Sequence, residues 1–333
     1  MKPLKKTYSP TTQTIKIKWF FILLIILSGS GSTKRARAEN PILSYGTIGN
    51  TEILYQTAPS QLEDSSVFTD NLKKVRQALH EVLELPLFHT LPPHALLIDP
   101  TWTKSGGFFS PELRHKNRPV AVIGFSNIGA LAQTKRVVAH ELAHLLFFQA
   151  NQNEDSWVSE GAALLAEYLV TGTFGKFIEY SFQYPEVTLT GSFDANDESY
   201  HDRNGTHQAA QYGNVQLYFY YLYRNCNQEV FLNKLFEKKN SGKTLLDSVL
   251  ETSYCPVGRN FKESFERYSI AKAMQDFTDP LKYVLYGAMK MDVLEHPALL
   301  EPFSETLYRL PEGDHCKAGE VPWGLRRCIR IRF

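Results

Sequence analysis

The stretch Val138-Ala139-His140-Glu141-Leu142-Ala143-His144-Leu145-Leu146 sets two histidines and a glutamate inside an apolar run. Such a run reads as a buried helix, and on a helix residues four apart lie one turn above each other on the same face. His140 and His144 can therefore reach a single metal ion, with Glu141 beside the open coordination position. Two nitrogen ligands, a carboxylate base and room for water are what a metal-dependent hydrolase needs.

Two histidines do not complete such a site, since catalytic zinc usually takes three protein ligands and leaves the fourth place for water. The next candidate is Glu160, in Trp157-Val158-Ser159-Glu160-Gly161-Ala162-Ala163, with fifteen residues between it and His144. A polar loop, Asn151 to Ser156, precedes a helix from about Trp157 to Thr171. Helices joined by a short loop are antiparallel neighbours, so Glu160 can face the two imidazoles, and Gly161 and the alanines let the backbones approach. The plainer alternative is that Glu160 only favours a helix N-terminus electrostatically. A purely structural zinc site would need a fourth protein ligand, and none stands out.

These two motifs resemble those of the gluzincins, zinc peptidases whose third ligand is a Glu on the next helix in a Trp-x-x-Glu-Gly-x-Ala setting. Within them the chain is most similar to the hyicolysin-like peptidases, and more distantly to the M1 aminopeptidases and thermolysin. Gln211-Tyr212-Gly213-Asn214-Val215-Gln216-Leu217-Tyr218-Phe219 is similar to the Tyr-Gly helix that follows in hyicolysin-like proteins. The resemblance covers roughly residues 95 to 280. It implies one Zn2+ held by His140, His144 and Glu160, with Glu141 as general base in peptide hydrolysis. It also implies a zincin-like catalytic domain with a small mixed β-sheet, an active-site helix and a helical C-terminal half. A tyrosine from a later helix stabilises the oxyanion in related peptidases, which makes Tyr212 the candidate here. His207, five residues earlier, competes with it, and Tyr212 also opens an aromatic run that reads as core. The chain departs from the pattern in its shorter gap from His144 to Glu160, and in Leu164, which stands where thermolysin has an acid. Glu167 is then either a carboxylate behind a ligand histidine or a solvated helical residue.

Element order supports an α+β fold independently. Residues 40 to 60 read as short strands, 66 to 85 as a helix, and Ala95-Leu96-Leu97-Ile98 as a buried strand. A Gly-Gly turn at 106–107 and a polar loop lead to a strong strand, Pro119 to Phe125, either an edge that takes substrate backbone or a central core strand. The helix bearing His140 should run from about Thr134 to Gln149. After a long polar stretch from Gly172 to Gly205, helices resume at Thr206, a plausible N-cap, and continue at roughly 206–224, 228–239, 243–252 and 260–277. Asp194, Asp197, Glu198 and Asp202 lack a calcium-loop pattern and read as a solvated loop. The expected organisation is a single catalytic unit. Residues 39–133 supply helix and sheet, 134–280 the zinc-binding and helical part, and 281–333 a C-terminal extension stapled by a disulfide.

Before Glu39 stand Lys2, Lys5, Lys6, Lys16, Lys18, Lys34, Arg35 and Arg37 around a nine-residue apolar run, Trp19 to Leu27, and a small-residue tail. These are the parts of a secretory signal in residues 1–38, and the run falls short of the about 20 apolar residues that span a bilayer. An uncleaved anchor is the rival and the only expected membrane contact. Without that segment the chain carries 28 basic against 35 acidic side chains, a formal −7, which gives nucleic-acid binding no support. Cys226, Cys255, Cys316 and Cys328 fit an exported protein with two disulfides. Three pairings are open, and closeness in sequence favours Cys226–Cys255 and Cys316–Cys328. The expected function is a secreted or envelope zinc endopeptidase acting on peptides or proteins. The alternative is an inactive zincin-fold envelope protein used as a binding module, and the presence of Glu141 speaks against it.

Overall fold

A computed structural model describes residues 42–56, 66–102, 106–191, 193, 205–237 and 240–274, together with the backbone of short strands at 293–294, 304–309, 321–322 and 327–332. The signal segment, Cys316 and the cluster Asp194, Asp197, Glu198 and Asp202 lie outside the described residues.

Strand β1 (Ile42–Ile48) turns back at Gly49, whose φ of +55 suits a glycine, into antiparallel β2 (Thr51–Gln56). Helix α1 (Ser66–Leu83) then leads to β3 (His94–Asp99), which runs parallel to β2. Strands β4 (Gly107–His115) and β5 (Arg118–Gly124) form a hairpin whose β5 pairs in parallel with β3, giving the mixed sheet order β1-β2-β3-β5-β4. The middles of β3 (residues 95–98) and β5 (residues 119–123) are apolar because both faces are covered. Leu96, Ile98, Ala121 and Ile123 pack with Val75 and Leu79 of α1 and with Val138 and Leu142. Ala95, Leu97, Val120 and Val122 form the opposite face with Phe108 and Leu113.

One expectation needs correction here: the polar loop after Gly107 is in fact strand β4. Of the two alternatives for the strand at 119–125, the central one holds, since β5 lies between β3 and β4, and β4 is the edge on that side. Pro111 and the charged residues after it hid the strand. An edge tolerates them because its outer N–H row needs no partner, and the register shifts between Ser110 and Arg114. Lys116 and Asn117, both at positive φ, close the hairpin as a two-residue turn.

Helix α2 (Leu131–Ala150) crosses the same face of the sheet as α1, and α3 (Ser156–Thr171) returns along it, ending at Gly172 in the left-handed conformation. Ala139 and Ala143 of α2 and Ala163 and Ala166 of α3 are fully buried in one cluster, so the two backbones can lie close. A short helix α4 (Ile178–Gln183) precedes α5 (Thr206–Asn225), α6 (Gln228–Glu237), α7 (Gly242–Thr252) and α8 (Phe261–Met274). Gly205 occupies the cap of α5 without a side-chain bond, so Thr206 is its first residue and not its N-cap. Tyr218, Phe219, Phe231, Leu246 and Phe265 fill the core of this helical half. The expected Cys226–Cys255 disulfide joins the end of α5 to the turn after α7. Closing 29 residues of chain stabilises the fold by about 3–4 kcal/mol on the loop-entropy account. A second sheet joins β6 (Val293–Leu294), β7 (Ser304–Arg309), β8 (Val321–Pro322) and β9 (Arg327–Arg332) in the order β6-β7-β9-β8. The fold is α+β, with a mixed five-stranded sheet followed by helices. Among the described residues no helix is long and apolar enough to cross a membrane.

Candidate metal centre

Helix α2 is buried on most sides, so the polar groups in its middle must find partners within the protein. His140 and His144 leave the helix one turn apart, with their Nε2 atoms 3.0 Å from each other. Glu160, at the start of the second turn of α3, brings Oε2 to 3.3 Å from His140 Nε2 and Oε1 to 3.5 Å from His144 Nε2. A tetrahedral zinc ion with bonds of about 2.0–2.1 Å would separate its ligand atoms by about 3.4 Å, which matches these sides. Three Lewis bases thus converge on one point, where a shared cation can satisfy them together. Oε2 of Glu160 is buried and makes no hydrogen bond among the described residues. The donor set, two imidazole nitrogens and a carboxylate oxygen, can hold a metal ion.

Both rings are aimed from behind. His140 Nδ1–H donates to Oε1 of Glu167 at 2.8 Å, and His144 Nδ1 lies 2.9 Å from the Ser159 hydroxyl. With the Nδ1 positions engaged, each ring directs Nε2 at the centre. Glu167 is therefore the carboxylate behind a candidate ligand histidine and not a solvated residue. Sequence reasoning missed Ser159 and also Arg136, whose guanidinium is 3.7 Å from Glu167. The available signals were adjacency to Glu160 for Ser159, and a position one helical turn before His140 for Arg136.

The electrostatics follow from packing basic and acidic groups away from water. Burial alone would lower His140, but the carboxylates of Glu160 and Glu167 outweigh it and hold His140 well above the usual imidazole value. Burial pulls His144 down to about 4 against the opposing field of Glu160. Burial also lifts Glu141 to about 8, opposed by His140 and reinforced by the charges of Glu160 and Glu167.

Glu141 is 3% exposed, with Oε2 unpartnered among the described residues. It lies against Gly107 of the edge strand, where an added Cβ would stand 2.8 Å from Oε1. The expected turn at 106–107 is thus the start of a wall of the site. A cavity of about 1240 Å3 opens over His140, Glu141, His144 and Glu160 and runs beside β4 at residues 106–109. Tyr212 lines it, its ring stacked on Phe177 at 5.3 Å and edge-on to Phe193 at 4.6 Å. Burial, then the charges of Glu160, Glu141 and Glu167, hold its hydroxyl well above the usual phenol value, so it stays a donor. His207 does not line the cavity and packs against Tyr184 at 5.9 Å.

No family profile matches the chain, and no curated protein does. Among solved structures, native yeast LTA4 hydrolase is similar with a TM-score of 0.43 and 18% identity, over 68% of this chain and 38% of that one. Yeast LTA4 hydrolase in complex with Bestatin gives a TM-score of 0.36 and 16% identity, over 61% and 35%. The chain spans less than two fifths of the length of these structures.

Proposed function

We propose that the chain is an exported zinc-dependent peptide hydrolase of the gluzincin type, hyicolysin-like in its motifs, acting as an endopeptidase. The observation that carries this reading is the convergence of His140 Nε2, His144 Nε2 and Glu160 at 3.0 to 3.5 Å, beside the buried carboxyl of Glu141 in an open cleft. A bound zinc ion supplies Lewis acidity, which acidifies water and polarises a carbonyl. Glu141 takes the proton from the attacking water and returns it to the leaving amine, and its raised pKa suits a group that must both accept and release. Tyr212 donates its hydroxyl hydrogen to the developing oxyanion. Strand β4 has no strand partner on its outer side among the described residues and borders the cleft, so an extended peptide can pair with it by strand addition.

The cavity touches α2 from Gln133 to Phe148, about 22 Å of helix, passing the triad at both ends. A cleft that extends to both sides of the triad suits cleavage inside a chain better than removal of one terminal residue. The Cys226–Cys255 disulfide supports an oxidising compartment outside the cytoplasm.

Metal analysis of the purified protein should find about one zinc per chain, since the donor set closes a single site. Casein cleavage should vanish after chelation and return with added zinc. Full cleavage by metal-free protein, or no zinc uptake at all, would sink the proposal. Zinc affinity should also depend on pH, with a definite sign. His140 holds its proton above the ordinary imidazole range, so zinc must displace that proton and binding strengthens as pH rises through the neutral region. Chelator competition should show up to about tenfold tighter binding per pH unit while one proton is released, and an affinity independent of pH contradicts it.

A further inference from the structure

Arg136 sits on α2 four residues before His140, on the same helix face. Its Nη2 donates to the carbonyl oxygens of Thr173 at 2.9 Å and Phe174 at 3.0 Å, and to the Thr173 hydroxyl. Its Nη1 lies 3.7 Å from Oε2 of Glu167, whose Oε1 receives the Nδ1–H of His140 at 2.8 Å. Both side chains of this ion pair are only 15% exposed, so solvent screens it far less than a surface contact.

The segment that Arg136 grips is the rim of the cleft, for Phe174, Gly175, Lys176 and Phe177 all line the cavity. Phe174 packs on Tyr168 and Tyr220, and the Gly175 N–H donates to Gln216 at 3.2 Å. Phe177, at the far end, stacks on Tyr212. One guanidinium therefore joins the support of a candidate metal ligand to the wall that carries the candidate oxyanion donor.

We propose that Arg136 is a positioning residue that couples His140 to the cleft rim, acting through Glu167 on one side and the 173–174 backbone on the other. The inference rests on the zinc-ligand role of His140. The chemistry requires an arginine. Its guanidinium pairs with Oε2 of Glu167 and so fixes the carboxylate whose Oε1 accepts from Nδ1, which aims Nε2 at the metal position. Its planar fork reaches the carboxylate and two carbonyls at once, which a lysine ammonium cannot do in one geometry.

The test measures zinc dissociation constants by chelator competition, and KM for a peptide, in wild type, Arg136→Gln, Glu167→Gln and the double variant. Arg136→Gln should weaken zinc binding by about 10- to 100-fold and raise KM severalfold. The double variant should bind zinc within about threefold of Glu167→Gln alone, because both changes break one chain of contacts. Zinc affinity of Arg136→Gln within about twofold of wild type, or losses that multiply in the double variant, would overturn the coupling. Should Arg136→Gln not fold, Arg136→Lys replaces it. Retained charge predicts nearly wild-type zinc affinity with a raised KM, and no change in either quantity overturns the proposal. A wild type that binds no zinc defeats the reading of the site itself, a separate result.

Discussion

Glu141→Gln is expected to lower peptide cleavage by about a thousandfold, within the range for loss of a general base, and to leave zinc bound. That loss equals about 4 kcal/mol added to the barrier. The amide keeps the size and shape of the carboxyl, so the contact with Gly107 survives. What disappears is the ability to accept a proton. Glu141 is not a member of the converging triad, so metal affinity should stay within about threefold of wild type, as for a site whose ligands are untouched. Burial resists ionisation of Glu141, so the neutral amide should also leave the melting temperature unchanged or raised. The measurement pairs zinc content with kcat/KM on one peptide. Equal cleavage by both proteins removes Glu141 from the mechanism, and loss of zinc with activity would make it a ligand or a structural element instead.

Gly107→Ala should be strongly damaging although it replaces no ionisable residue. Its Cβ would lie 2.8 Å from Oε1 and 2.9 Å from Cγ of Glu141, and closer still to the Val122 carbonyl oxygen of β5. Either β4 shifts off β5 or Glu141 turns away from its place. A displacement of about 1 Å at a reacting group costs about a hundredfold in rate, so kcat should fall by that order. Overpacking should destabilise the fold by about 1–3 kcal/mol, visible as a lower melting temperature. Zinc affinity should hold, because the triad lies on α2 and α3. Gly129→Ala is the matched control, with nothing within 4 Å of the added carbon, and should behave as wild type. A Gly107→Ala protein that cleaves within about threefold of wild type would show that the edge strand does not position the base.

Much of the architecture was legible in the residues. The apolar periodicity of α1, the buried runs of β3 and β5, and the order of the C-terminal helices all follow from local pattern, since burial on one or both faces writes a period into the chain. Strand β4 was not legible. Gly106, Gly107, Pro111 and the charges beyond it are loop signals locally, and only pairing with β5 makes an edge strand of them. The start of α5 shows the same limit on a smaller scale, because Gly205 supplies the turn that Thr206 was expected to cap.

The site divides along the same line. His140, Glu141 and His144 share one turn of one helix, so 3.6-residue geometry alone brings them together. Glu160 is on the next helix, and its carboxylate meets the imidazoles because small residues let α2 and α3 pack closely. Three further contacts depended on tertiary packing. Glu167 reaches His140 across 27 residues, Arg136 grips Phe174 across 38, and Gly107 lies against Glu141 from a different layer of the fold. Local spacing carries information over a helical turn or a strand pleat. Which distant groups share a low-dielectric pocket is decided only when sheet and helices close over it, and there burial forces each polar atom to find its partner.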